Sequence, residues 1–283
     1  MTLSKVLAGI PQPPVNDPMP QTAETIFNVF IFIPLGIALA LALRHLLKGK
    51  GPLLLYCIIG GAFAATFEPI VDVLGLVYLK ELDAVGTFTI LERTMPLYIC
   101  FVYPWYVGGM GYLAYRLFQR GISMKGLFLL WGADAIVDVF LELPGIIAGT
   151  YLYYGHQPFN VFGFPLWWAF VNPVMPMLAG ALIYKLKPYF GDSPWKLLAV
   201  IPLIPIADGV ANGAAGWPMW AVLNQEDVSY VWTHLAALVT LALSLYCVWM
   251  IGLVVAKRDE VVSTDGSQAR LLDQRVAKEE VAV

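Results

Sequence analysis

Charge is scarce in this sequence. Asp, Glu, Lys and Arg make up 13% of its 283 residues, roughly half the share of an average soluble domain. The net charge is −3 and no basic stripe runs along any segment, which argues against nucleic acid as a partner. Cysteine is scarcer still. Cys57, Cys100 and Cys247 all fall inside apolar runs, too few and too secluded for a disulfide framework or a zinc site. No lysine or arginine lies deep in any long apolar run.

What the chain does have is apolar surface. Hydrophobic residues make up 59% and the mean hydropathy is +0.71, more than a soluble fold of this size can hide. An integral protein of the cell membrane is expected, with the lipid bilayer as its solvent. Seven apolar segments, at 25–46, 52–78, 95–118, 125–149, 166–187, 195–217 and 230–256, approach the ~20 residues that a crossing helix needs. They predict an all-α membrane protein, a seven-transmembrane-helix bundle over 25–256. Residues 1–24 form an extracytoplasmic N-terminal segment, and 257–283 a polar cytoplasmic tail. Residues 1–20 lack the apolar run of a secretory signal. Connections are short, leaving no room for a second domain.

Basic residues set the orientation. Arg44, Lys48, Lys50, Arg116, Arg120, Lys125, Lys185, Lys187, Lys196, Lys257 and Arg258 follow the odd-numbered segments or precede the even ones; only Lys5, Lys80 and Arg93 fall on the opposite side. The positive-inside rule then places the N-terminus outside and the C-terminus in the cytoplasm.

Six acids lie within the segments: Glu68, Asp72, Asp134, Asp138, Glu142 and Asp208. Each costs roughly 2.5–3.5 kcal/mol at a helix centre on insertion scales. They should therefore face the bundle interior and mark a functional site. Glu68 and Asp72 are four apart, as are Asp134, Asp138 and Glu142, and Asp208 precedes Asn212 by four. A four-residue step turns about 40° and rises about 6 Å, so each set forms a polar stripe. Glu68-Pro-Ile-Val-Asp72, Asp134-Ala-Ile-Val-Asp138 and Asp208-Gly-Val-Ala-Asn212 share a pattern that fits either a repeated helical hairpin or convergence on one requirement. All six acids are candidate catalytic residues of one chamber in the outer half of the bundle, with Asn172, Asn212 and His234 at the same level. Carboxyls crowded together without cations cannot all be ionised, and a neutral carboxyl beside a carboxylate is an acid–base pair.

The connection from Tyr151 to Trp168 is dense in aromatics. It fits an interfacial belt, or a lid whose Tyr154, His156, Gln157, Asn160, Trp167 and Trp168 touch the substrate and steady a cation. Prolines inside the segments, Pro69 and Pro144 beside the acids among them, can kink helices and shape a cavity.

Several functions can be weighed against these residues. A retinal protein needs a lysine deep in the last segment, and none precedes Lys257 there. The Asp134, Asp138, Glu142 spacing resembles the Asp-rich helices of UbiA prenyltransferases, whose magnesium-bound diphosphate sits with basic partners at the cytoplasmic face. Those partners are missing here, so no metal and no cofactor are expected. A proton-coupled transporter of a small lipophilic or polar solute is a rival from another class.

Four stretches carry a family resemblance. Phe67-Glu-Pro-Ile-Val-Asp-Val-Leu-Gly75, Gly149-Thr-Tyr-Leu-Tyr-Tyr-Gly-His-Gln-Pro-Phe159, Phe164-Pro-Leu-Trp-Trp-Ala-Phe-Val-Asn-Pro173 and Asp208-Gly-Val-Ala-Asn-Gly-Ala-Ala-Gly-Trp-Pro218 resemble the spirocyclase AveC family over roughly residues 50–240. The resemblance implies a membrane enzyme that closes a spiroketal on a polyketide-type dihydroxy ketone. A transmembrane terpene cyclase is a neighbouring analogy. Either chemistry takes a lipophilic small molecule and needs one neutral carboxyl, one carboxylate and a chamber that excludes water.

Overall fold

A computed structural model describes residues 11–257. Residues 1–10 and, beyond Lys257, the tail assigned to 257–283 lie outside the described residues. The chain is mostly helical, and five helices are long and apolar enough to cross a membrane: Gln21–Leu47, Leu53–Gly75, Trp167–Phe190, Pro194–Leu223 and Tyr230–Val255. Two further helical stretches, Leu97–Gln119 and Met124–Ile147, have comparable length. The first is tyrosine-rich, and the second carries three acids.

Most of the long helices are interrupted, and proline accounts for the breaks near the site. Helix α1 (Gln21–Leu47) runs continuously. Helix α2 (Leu53–Ala64) tightens into a 3₁₀ turn, Ala65–Phe67, before α3 (Glu68–Gly75) begins. Pro69 has no N–H for the Ala65 carbonyl, so the α pattern cannot continue through that point. Helix α4 (Leu97–Tyr103) passes through a π turn, Pro104–Gly109, into α5 (Met110–Gln119). Pro104 again removes a donor. Helix α6 (Met124–Ile147) is capped by Ser123, whose hydroxyl accepts from the Gly126 N–H at 3.1 Å. Helix α7 (Trp167–Val171) is separated from α8 (Val174–Phe190) at Asn172-Pro173. Helix α9 (Pro194–Leu197) leads by a short 3₁₀ turn to α10 (Leu203–Leu223), and α11 (Tyr230–Val255) follows.

Three short antiparallel strand pairs occupy connections that an all-α reading leaves irregular. Strand β1 (Val77–Leu79) pairs with β4 (Tyr151–Tyr153), with Val77 opposite Tyr153. Strands β2 (Gly86–Ile90) and β3 (Arg93–Pro96) form a hairpin whose turn residues Leu91 and Glu92 both take positive φ, as a primed turn requires. Strands β5 (Asn160–Val161) and β6 (Phe164–Pro165) form a smaller one.

These pairs gather at one end of the helices. There Met19 donates its N–H to Leu82, Lys80 donates to Thr150, and His156 packs on Tyr230. At the other end the Lys257 N–H reaches Ile122, and His45 packs on Tyr112. The basic residues Arg116, Arg120 and Lys125 flank these last contacts.

Close helix contact depends on glycine. A Cβ at Gly108 would lie 2.2 Å from the Cys57 carbonyl oxygen, and one at Gly61 would lie 2.5 Å from that of Tyr103. Helix α2 and the π turn therefore touch backbone to backbone, as small residues allow in membranes. Gly108→Ala should lower the unfolding temperature in detergent by an overpacking cost of about 1–3 kcal/mol. Gly132→Ala, which meets nothing within 4 Å, should not; equal melting of the two variants would refute the contact.

Candidate active-site cavity

Glu68 and Asp72 share one face of α3, and Asp138 and Glu142 share one face of α6. The two faces meet at a single cavity. Tyr98, Tyr103 and Tyr106 reach it from α4 and the π turn, Tyr151 and Tyr153 from β4, and Trp168 from α7. Tyr151 and Tyr153 are two apart on a strand, so both point inward while Leu152 points away. Phe27, Ile31, Val71, Ile99, Val102, Val107 and Leu141 supply apolar wall, with Asn172, Met175 and Asn212 at one side. No Lys, Arg or His among the described residues lines it.

The cavity has a volume of about 90 Å³. Several waters fit, at the ~10–15 Å³ each needs.

Hydroxyls and amides hold most of the carboxyls. Tyr103 donates to Glu68. Tyr151 and Tyr153 both donate to Glu142 Oε2, at 2.8 and 2.9 Å. The Asn172 amide bridges both oxygens of Asp138, at 3.0 and 3.1 Å. Asn212, which lines the cavity, donates to Asp208 Oδ1 at 2.9 Å.

The six acids are not equally placed. Asp134 and Asp208, 4% and 0% exposed, lie behind the wall rather than on it. Asp208 meets the cavity through Asn212. The Tyr106 hydroxyl, on a residue of the cavity wall, has no hydrogen-bond partner among the described residues.

The aromatic connection divides in the same way. Trp168 faces the cavity and stacks on Trp167 at 4.2 Å. The Trp167 indole donates to Gln157 Oε1 at 3.0 Å, and the Gln157 amide donates to the carbonyls of Gly75, at 2.9 Å, and Tyr154, at 3.1 Å. Gln157 is thus a strut between lid and helix α3. Tyr154 receives Arg93 at 3.4 Å, and Arg93 lies 4.0 Å from Glu81. His156 is exposed, edge-on to Tyr230. His234 packs on Phe159 with its Nδ1 2.6 Å from the Tyr230 carbonyl oxygen. Asn160 is exposed and accepts from the Gly163 N–H. None of these three reaches the cavity. Tyr98, Tyr103 and Tyr106 do reach it; their signal in the sequence was three phenols inside one apolar segment.

Among the described residues no group of three or more His, Cys, Asp or Glu is arranged to hold a metal ion. Gln157→Leu would leave the Trp167 N–H and the Gly75 carbonyl unpaired, at about 1–3 kcal/mol for a buried group. Thermal unfolding in detergent should show that loss, and an unchanged melting temperature would mean the strut is idle. Comparison of the chain with protein-family models, with curated proteins and with solved structures finds no match.

Proposed function

We propose that the chain is a seven-helix enzyme of the cell membrane, N-terminus outside and C-terminus cytoplasmic, that cyclises a lipophilic substrate by acid–base catalysis. The observation that carries this reading is the cavity itself: four carboxyls from two helices converge with five tyrosines and a tryptophan, and no Lys, Arg or His among the described residues lines it. The helical stretches Leu97–Gln119 and Met124–Ile147 complete the seven crossings. The connections meet at two ends in the alternation that an odd count requires.

The AveC-like segments suggest spiroketal closure as the reaction. One carboxyl protonates the hemiketal hydroxyl, which leaves as water. A carboxylate takes the proton of the attacking hydroxyl, and the pair is restored. Between these steps the aromatic faces stand where an oxocarbenium ion would form. A transmembrane terpene cyclase would use the same groups to protonate an alkene or epoxide. Proton-coupled transport is favoured by one observation: Asp134 and Asp208 continue the carboxyl sets behind the cavity wall, as in a relay.

Mass spectrometry of lipid extracts from cells with and without the gene should show a cyclised product. At least two of Glu68→Gln, Asp72→Asn, Asp138→Asn and Glu142→Gln should lose about 10²–10⁴-fold in yield, the range of general acid–base catalysis, while inserting normally. Near wild-type yields from all four would end the mechanism. Solute flux in sealed vesicles without product would favour transport instead. Orientation has its own check: a reporter fused after Arg258 should be active in the cytoplasm, and activity outside would reverse the topology.

A further inference from the structure

The cavity carboxyls differ in one respect. Glu68, Asp138 and Glu142 each accept hydrogen bonds from tyrosine or asparagine. The carboxyl of Asp72, 3% exposed and on the cavity wall, accepts none from any described residue. Arg93 is engaged with Glu81 and Tyr154.

Three donors on residues of the same wall are also unmet. The Tyr98 and Tyr106 hydroxyls and the Trp168 indole N–H are buried, belong to lining residues and have no hydrogen-bond partner among the described residues; the acceptor Asn212 Oδ1 is likewise unmet, and Tyr98 and Trp168 are the two donors that enter the proposal. Trp168 rests on Gly75, three residues beyond Asp72, where a Cβ would come 2.4 Å from the ring. Buried donors without partners are rare and unfavourable in native proteins, and here they belong to residues that line the same cavity as Asp72.

Resting on the acid–base reading of this cavity, we propose that Asp72 is the carboxyl that exchanges a proton with the bound molecule, while Tyr98 and Trp168 hold an oxygen of that molecule. The ligand class follows from the wall. Its skeleton is apolar, to match Phe27, Ile31, Ile99 and Val102. It carries at least one accepting oxygen, which a pure hydrocarbon lacks. It is not a diphosphate, because no cation lines the site. The exchange balances within the site: the Asp72 proton passes to a ligand oxygen, and the carboxylate takes one back from a ligand hydroxyl.

The test uses the full chain in detergent micelles and needs no turnover. Dicyclohexylcarbodiimide, a lipophilic reagent, adds a protonated carboxyl across its C=N bond and rearranges to a stable N-acylurea. Peptide mapping should place the adduct on Asp72 in preference to Glu68, Asp138 and Glu142. 2-Tetradecanone should slow the labelling, and tetradecane at the same concentration should not. Tyr98→Phe and Trp168→Phe should each require up to about tenfold more ketone for the same protection, as the loss of one hydrogen bond implies. Labelling spread evenly over the four carboxyls, or confined to another one, overturns the assignment of Asp72. Equal protection by the hydrocarbon, or phenylalanine variants that change the labelling without ketone, overturns the donor role. A protein that shows the full pattern yet makes no product would keep this assignment and lose the cyclase reading.

Discussion

A carboxyl in hydrocarbon, with no cation beside it, must find donors within the protein, and much of this chain's irregularity serves that need. Regular helices spend their backbone donors on their own carbonyls and have none to give. Each break near the cavity lies beside a group that meets or makes the demand. The 3₁₀ turn at Ala65–Phe67 directly precedes Glu68. The π turn begins one residue after Tyr103 and contains Tyr106. The break at Asn172-Pro173 holds the amide that bridges Asp138. Proline sits at all three, so the residue that interrupts the helix and the residue that uses the interruption are neighbours in sequence.

The strands extend the same arrangement into the connections. The β1–β4 ladder fixes Tyr151 and Tyr153 against the end of α3 in a register where both hydroxyls reach one Glu142 oxygen. A loose loop would lose the entropy of ordering two phenols each time it closed; a paired strand holds them in place. Gln157 then ties the following turn to Gly75, and Gly75 is also where Trp168 finds room. The lid and the acid-bearing helix thus share one anchoring point.

The sequence announces the acids and conceals their partners. Spacing of four puts Glu68 with Asp72 and Asp138 with Glu142, and both pairs do share a wall. The same spacing carried one step further leaves it: from Glu142 to Asp134 is two steps, about 80° of drift, and Asp134 turns out of the cavity. Tyr98, Tyr103 and Tyr106 are separated by five and three, which fits no single stripe of a 3.6-residue helix. Only the π turn, whose extra residue per turn shifts the phase, brings them together, and no local signal foretells it. The connection strands are two to five residues long, with pairing set by distant partners, so propensity says little about them. In the aromatic run, composition alone cannot separate the inward Tyr151, Tyr153 and Trp168 from the outward His156 and Asn160; strand alternation and two positive-φ turns do that.

Two carboxylates about 6 Å apart repel by about 3 kcal/mol at an effective dielectric near 20, so a set this dense holds fewer charges than groups. The donors decide where those charges rest. Glu142 has two hydroxyls aimed at one oxygen, and Asp138 has an amide across both of its own. A proton placed on either must displace a donor already in position. Asp72 accepts none from the described residues, so on the proposed reading a proton placed there would displace no donor. A carboxyl that is still protonated and lines the cavity would, on that reading, be the one placed to pass a proton to a bound oxygen. On the proposed reading, the tyrosines and the asparagine that hold Glu68, Glu142 and Asp138 leave Asp72 as the acid that exchanges the proton.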